Sequence, residues 1–257
     1  MIGRWLSPAI LIAVLLTGWE AACRLLHLPA YVLPPPSAVV ARLASDALTL
    51  LIGAWNTLSM ALCALALASV AGCGLALITA LSPALERAVR PLAVAAQVTP
   101  VVAVAPLFLI WSGLDHPARA IVALAAIVAF FPIFSGASAG LKSADPGLER
   151  LFDLYGSSRW HRLVRLRLPA ATPFLLEGHR VAAGLAVIGA VVAEFVAGSG
   201  AAQGLAWRIL ESGNRLQTDR IFAALAVLAA LGLVLHGAVQ ALERRLLVWW
   251  SGSGPAR

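Results

Sequence analysis

The chain contains a single lysine, Lys142, and the residue before it is Leu141. The phosphate-binding loop of ATP-hydrolysing proteins needs a glycine directly before its lysine, because the backbone there cradles the phosphates that the lysine reaches. No such loop is possible in this chain. If a process here runs on ATP, a second protein must hydrolyse it, and we expect this chain to bind no cofactor of its own.

Cysteine is also scarce, and histidine is scattered. Cys23, Cys63 and Cys73 lie in apolar runs, and none forms a Cys-x-x-Cys pair. The five histidines show no metal-ligand spacing. Disulfide frameworks and zinc sites both need closely spaced sets of such residues. We therefore expect neither a disulfide framework nor a metal site.

Charged residues make up only 12% of the 257 residues, whereas 61% are hydrophobic. A soluble domain carries about twice that charged fraction. The net charge of +7 would suit nucleic acid, but the basic residues cluster beside apolar runs, as they do in membrane proteins. We predict an all-α polytopic membrane protein that lies in the lipid bilayer and binds no nucleic acid.

The apolar runs are long enough to cross a bilayer, which takes about 20 helical residues. The first run is too long for the core of a signal peptide, so we interpret it as a retained span. The six predicted spans are 5–26, 53–81, 92–112, 119–140, 174–198 and 221–243. An interfacial helix is expected at 38–50, and the polar connector at 201–219 has room for a short helix.

The basic residues predict the orientation of these spans. With both termini inside, twelve of the 19 lysine and arginine residues lie on the inner side and six on the outer side, and Arg180 lies within the fifth span. Basic loops favour the cytoplasm. We therefore predict a single membrane domain over 1–257, with both termini and the loop 141–173 in the cytoplasm.

The loop between spans four and five is the longest polar passage in the chain, and its pattern predicts two short helices. Asp145 can cap the first helix, Gly156 suits its end, and Ser157 or Ser158 can cap the second. Pro169 is expected to end the second helix. The predicted apolar face of the first helix consists of Leu148, Leu151, Phe152 and Tyr155.

Two interpretations of this loop follow from its residues. The second helix is basic, with Arg159, Arg162, Arg165 and Arg167, and a basic amphipathic hairpin is typical of a segment that lies on lipid headgroups. The same hairpin would also serve as a docking surface for a cytoplasmic partner.

Three residues of the loop carry a resemblance to a known family. Gly156, Leu168 and Pro169 match the glycine and the Leu-Pro pair in the cytoplasmic loop of the membrane subunits of ABC importers. The flanking sequences at 144–146, 156–160, 168–173 and 188–195 resemble the branch that imports nitrate, sulfonates and taurine, which some importers of thiamine precursors share. The resemblance covers nearly the whole chain.

One feature of that family's loop is altered. The family carries a Glu-Ala-Ala tripeptide whose positions here hold Arg150, Leu151 and Phe152. Glu149 lies one place earlier and is expected to stand in for the acidic residue.

The resemblance implies the permease subunit of an ABC importer in a bacterial inner membrane. Two copies would form the pathway as a homodimer, a cytoplasmic ATPase would use the ATP, and an extracytoplasmic substrate-binding protein would deliver a small solute such as a sulfonate, taurine or nitrate. The residues implied to couple the chain to the ATPase are Asp145, Glu149, Arg150, Leu151, Phe152, Tyr155, Gly156, Arg159, Leu168 and Pro169.

Three polar residues within the spans are candidates for the translocation path. Glu194 is the main one, because an ionisable group inside a membrane is costly and is by default functional. Gln97 and His236 are further candidates. Each of the three could instead be a structural partner that holds spans together.

An enzyme is the alternative that the sequence raises. Residues 136–140 spell Gly-x-Ser-x-Gly, so Ser138 and His236 could form an intramembrane serine hydrolase. That motif needs a strand–turn–helix setting, whereas this one ends a membrane helix, where small residues also serve close packing. A membrane scaffold that transports nothing is the third interpretation. We expect a transporter subunit and not an enzyme.

Overall fold

A computed structural model describes residues 3–113, 115–197 and 202–250. No strand occurs in these ranges. The helices are α1 (Gly3–Leu25), α2 (Pro36–Ser45), α3 (Ala47–Ala80), α4 (Pro83–Val98), α5 (Val101–Ser112), α6 (Pro117–Gly140), α7 (Pro146–Leu154), α8 (Arg159–Arg162), α9 (Leu168–Ala197), α10 (Leu205–Asn214) and α11 (Thr218–Trp250), with a π-helical segment (Leu163–Arg167) between α8 and α9.

Four helices in the described ranges are long and apolar enough to cross a membrane. These four are α3, α6, the continuous helix Arg159–Ala197, and Thr218–Leu247 within α11. Helices α4 and α5, taken together, are a candidate for a fifth span. The predicted first span coincides with α1, and α2 and α10 lie where the two short helices were expected. The prediction of an all-α polytopic membrane protein is confirmed.

The third predicted span, 92–112, is not one straight helix. Helices α4 and α5 meet at an angle of 97°. The break lies at Thr99, which is extended (φ −68°, ψ 123°) because the ring of Pro100 disfavours helical geometry in the residue before it. The Thr99 hydroxyl donates to the carbonyl of Ala95 at 2.7 Å, which satisfies an acceptor at the end of α4. Glu86, Arg87 and Arg90, which precede the predicted span in the sequence, lie within α4.

Pro169 does not end its helix, contrary to the prediction. The backbone widens just before it, and the N–H of Leu168 donates to the carbonyl of Leu163, five residues back. A proline ring clashes with the carbonyl four residues earlier in a regular α-helix. The wider π turn relieves that clash and lets the helix continue into α9.

Packing divides the chain into two compact units. The first comprises Met1–Thr57 and Ala202–Leu231. An ion pair within it joins α2 to the start of α11, with Arg42 Nε 2.8 Å from an Asp219 carboxylate oxygen. Its buried core consists of Val39, Leu50, Leu205, Ala223 and Ala224. The second unit comprises Leu58–Ala201 and Gly232–Arg257, and it contains the polar loop. The single domain predicted over 1–257 stays a prediction.

Helices α6 and α9 pack against each other without room for side chains at several glycines. A Cβ on Gly178 would lie 2.7 Å from the carbonyl oxygen of Pro132, and one on Gly140 would lie 2.8 Å from the Cα of Ala171. Gly189 is similarly close to α6. The glycines of the fifth predicted span, Gly178, Gly184, Gly189 and Gly198, indicate small faces for close helix packing. Gly178 and Gly189 make such contacts with α6, whereas a Cβ on Gly184 would meet nothing within 4 Å. The α6–α9 contact holds the helices at both ends of the polar loop.

Candidate functional site

The polar loop begins with α7, a helix of nine residues whose start is built as predicted. The Asp145 carboxylate accepts hydrogen bonds from the backbone N–H groups of Gly147 and Leu148, at 2.6 and 3.1 Å. Pro146 occupies the first helical position, where its missing N–H leaves no bond unmade. Glu149 adds negative charge in the first turn, which favours the positive end of the helix dipole.

The end of α7 is equally well defined. Gly156 has a φ of 60°, a conformation that residues with a Cβ adopt only with strain. The N–H of Gly156 donates to the carbonyl of Asp153, and that of Ser157 to the carbonyl of Phe152, both at 3.0 Å. This pair of bonds is a Schellman motif. Ser158 caps α8 by accepting from its first turn at 3.2 Å, so the predicted helix–turn–helix is present.

Helix α7 nevertheless buries none of its residues. Phe152 is half-buried, with its ring 6.2 Å from that of His161. The other apolar side chains lie open, and Leu154 is 85% exposed although it is not on the predicted face. The α7 apolar surface consists of Leu148, Leu151, Leu154 and Tyr155.

Charged residues connect α7 to the helix that follows it. The Glu149 carboxylate lies 3.2 Å from Arg162 and 2.7 Å from Arg167. Arg162 also pairs with Asp153. These four residues form the loop ion-pair network. Glu149, which was expected to stand in for the family's acidic residue, is thus engaged inside the loop, whereas Arg150 and Arg159 are exposed.

A cavity of about 510 Å³ lies within the second unit, between α7 and the helix ends of α3, α4 and α6. An ion pair between Lys142 and Glu86 stands at its edge and links α4 to the start of the loop. The hydroxyl of Ser138 is buried there without a hydrogen-bond partner. The polar residues that line the cavity are Thr79, Glu86, Ser138, Lys142, Glu149 and Arg167.

The candidate path residues differ in exposure. Glu194 lies in α9 and is only 3% exposed, consistent with a group that faces the interior of the protein. Gln97, near the end of α4, and His236, in α11, are both exposed. Their roles in translocation stay predictions.

The residues of the alternative enzyme lie in helices. Ser138 is in the last turn of α6, within an uninterrupted helix and not in the strand–turn–helix elbow that a serine nucleophile uses. The flanking glycines have a packing explanation, since a Cβ on Gly136 would lie 2.7 Å from the carbonyl oxygen of Phe174 in α9. His236 is exposed on α11. Nothing here supports the serine hydrolase.

The chain is similar in sequence to a known protein family and to several transport proteins. Residues 64–248 match the family described as "Binding-protein-dependent transport system inner membrane component". The chain is 35% identical over 245 residues to a formylaminopyrimidine transport permease protein of Halalkalibacterium halodurans, covering 95% of this chain and 96% of that one. It is 36% identical over 252 residues to a riboflavin transport system permease protein of Chloroflexus aurantiacus, covering 96% and 91%.

A third relative is named for the transport of a different solute, taurine. The chain is 31% identical over 249 residues to the taurine transport system permease protein of Escherichia coli, covering 93% of this chain and 87% of the relative. The match spans both compact units and includes the capped loop helix. The chain therefore belongs to the family of binding-protein-dependent inner membrane transport components, and it is a permease subunit of an ABC transporter.

Proposed function

We propose that the α7 apolar surface is the place where a cytoplasmic ATPase binds this permease. The observation that carries the proposal is the contrast within α7. The helix is capped at both ends and so is well formed, yet every one of its apolar residues except Phe152 is exposed. A formed amphipathic helix with an open apolar face is a common way for one protein to enter a groove in another.

Family membership also supports the other components of the transporter that we propose. A second copy of this chain completes the pathway, and an extracytoplasmic binding protein delivers the solute. This chain binds no cofactor, and the ATPase uses the ATP. The loop 141–173 and both termini lie in the cytoplasm of a bacterial cell. Closure of the ATPase pair displaces α7, and the spans rock between inward-facing and outward-facing states.

The solute we propose is a small anion such as a sulfonate, taurine or nitrate. Support comes from the taurine relative and from a cavity of about 250 Å³ between α4 and α6, which is lined by Arg90 and by the ion pair of Lys142 and Glu86. Glu194 contributes to the path or its outer gate. The formylaminopyrimidine and riboflavin relatives make heterocycles the competing solute class.

The docking proposal is tested by pulling down the tagged chain from its native membrane and identifying the proteins that accompany it. We expect an ATPase with a phosphate-binding loop. Leu154→Asp and Tyr155→Asp should each reduce its recovery by at least about tenfold, because a buried charge in an apolar contact costs well over 1 kcal/mol.

The matched control is Leu216→Asp. Leu216 is also an exposed leucine, 75% accessible, but it lies in the turn between α10 and α11. This variant should retain the ATPase. Full recovery of the ATPase by both α7 variants, at normal permease levels, would contradict docking through α7. Recovery of the wild-type chain alone would contradict the importer.

A further inference from the structure

The geometry points to Glu149 as a positioning residue that clamps the coupling helix α7 to the helix leading into α9, so that the two move as one body. This inference rests on the proposed function, since it concerns how a displacement of α7 reaches the spans. It differs from the role expected from the family's loop, in which the acidic residue would contact the ATPase.

The backbone between α7 and α8 is short, and the hydrogen bonds of the Schellman motif fix it only at the end of α7. It consists of a single turn at Gly156, where an added Cβ would meet nothing within 4 Å. Apolar packing reinforces the turn only weakly, because Phe152 is half-buried beside His161 and no residue of α7 is fully buried. The cavity of about 510 Å³ separates α7 from the ends of α3, α4 and α6. The segment before α7 is tied to α9 by a hydrogen bond from the Ser143 hydroxyl to the carbonyl of Ala170 at 3.2 Å. That bond lies outside α7, so on its own it leaves α7 free to pivot at the turn when it is pushed.

The loop ion-pair network supplies a connection between α7 and the helix that leads into α9. Glu149 lies in the first turn of α7, about 10 Å along the helix from Gly156 at 1.5 Å per residue. Its carboxylate bridges Arg162 and Arg167, at 3.2 and 2.7 Å. The contacts of Asp153 and Phe152 lie closer to the turn, where they resist pivoting with a shorter lever arm.

Arg162 and Arg167 connect Glu149 to α9. Arg162 ends α8, and Arg167 ends the π-helical segment, directly before Leu168. The helix is continuous from Arg159 to Ala197, so a force applied to either guanidinium acts on the whole of α9. The Glu149 side chain is 22% exposed and the arginines are 20% and 33% exposed. Partly buried ion pairs that share a carboxylate hold their geometry better than isolated surface pairs.

The first test measures the clamp in the permease alone, with Cys23, Cys63 and Cys73 replaced by alanine. Spin labels at Leu154 in α7 and Val181 in α9 report the distance between the helices. Labelled chains are diluted into an excess of unlabelled chains, so that only distances within one copy are measured, and we expect one narrow distance for the wild type. Glu149→Gln should raise the population of displaced α7 by about fivefold, because it removes both ion pairs of the Glu149 carboxylate at once.

Two further variants make this measurement specific. Adding Arg167→Gln to Glu149→Gln should change little more, because both substitutions break the same contact. Glu177→Gln is the matched control, because Glu177 pairs with Arg180 at 2.5 Å within α9 and does not connect α7 to anything. It should leave the distance unchanged.

The second test uses the permease reconstituted with its ATPase and binding protein. Glu149→Gln should still recover the ATPase but lose about fivefold of the stimulation of ATP hydrolysis by the loaded binding protein. Loss of ATPase binding, as in Leu154→Asp, would make Glu149 a docking residue and overturn the clamp. An unchanged α7–α9 distance would overturn it as well. A wild-type chain that binds no ATPase would refute the proposed function, while the spin-label distances would still decide whether the clamp exists.

Discussion

At the scale of single residues, the glycines of α9 show how close packing and open space can occur in one helix. Gly178 is buried against α6, and a Cβ there would lie 2.7 Å from the Pro132 carbonyl oxygen. A Cβ on Gly184 would meet nothing within 4 Å. Gly198, which was predicted to share this role, lies outside the described residues. The sequence alone does not distinguish Gly178 from Gly184, because both are apolar-span glycines.

We predict opposite effects for alanine at these two positions. Gly178→Ala should destabilise the permease by about 1–3 kcal/mol, because the clash is with backbone that cannot move cheaply. Gly184→Ala should be neutral or stabilise it by up to about 1 kcal/mol, because alanine favours a helix over glycine. Thermal unfolding in detergent measures both. Equal melting temperatures for the two variants would contradict the α6–α9 contact.

At the scale of elements, α7 is a helix of nine residues that depends on its caps. An isolated helix this short is marginal in water, and α7 buries none of its residues. Its stability must therefore come from the Asp145 cap, the Schellman motif at Gly156 and the loop ion-pair network. The longer helices have packing partners or lipid instead, so their boundaries tolerate irregularities such as the π turn before Pro169.

We predict that Asp145→Ala loosens α7 without unfolding the permease. Loss of an N-cap costs about 1 kcal/mol, so the protected amides of α7 should exchange about fivefold faster. Hydrogen exchange followed by mass spectrometry measures this change.

Ser158→Ala provides the comparison for that experiment. Ser158 caps α8, but α8 runs on into a helix of 39 residues, so loss of its cap should change exchange only at the first turn. Unaltered exchange in α7 of the Asp145→Ala variant would show that the helix does not depend on this cap.

At the scale of the whole molecule, the orientation in the membrane is the main prediction that the fold leaves to experiment. The distribution of basic residues predicts that the loop 141–173 faces the cytoplasm. In a chain whose three cysteines are replaced, a cysteine at Leu154 should react with a membrane-impermeant thiol reagent only in inside-out vesicles. A cysteine at Leu216 should react only in intact cells or right-side-out vesicles. The reversed pattern would contradict the orientation and, with it, the cytoplasmic docking surface.

Much of the architecture could be predicted because it follows from local chemistry. The apolar runs are long enough to need a bilayer, and the caps of α7 depend on residues within a few positions of each other, such as Asp145 and Gly156. The break at Thr99 was missed because two prolines in an apolar run are compatible with a kinked span as well as with a bend of 97°. Pro169 was misjudged because a π turn leaves no residue signature.

The sequence by itself determined the class of protein, the position of most helices, and the presence of one capped polar hairpin, because hydrophobic run length, capping and charge distribution are properties of neighbouring residues. Tertiary structure alone decided which of those residues meet. In the folded protein Glu149 contacts Arg162 and Arg167, and Leu154 stays exposed. Gly178 packs against α6, whereas Gly184 has open space beside it. Contacts between residues far apart in the chain depend on how helices cross, and no local pattern records that.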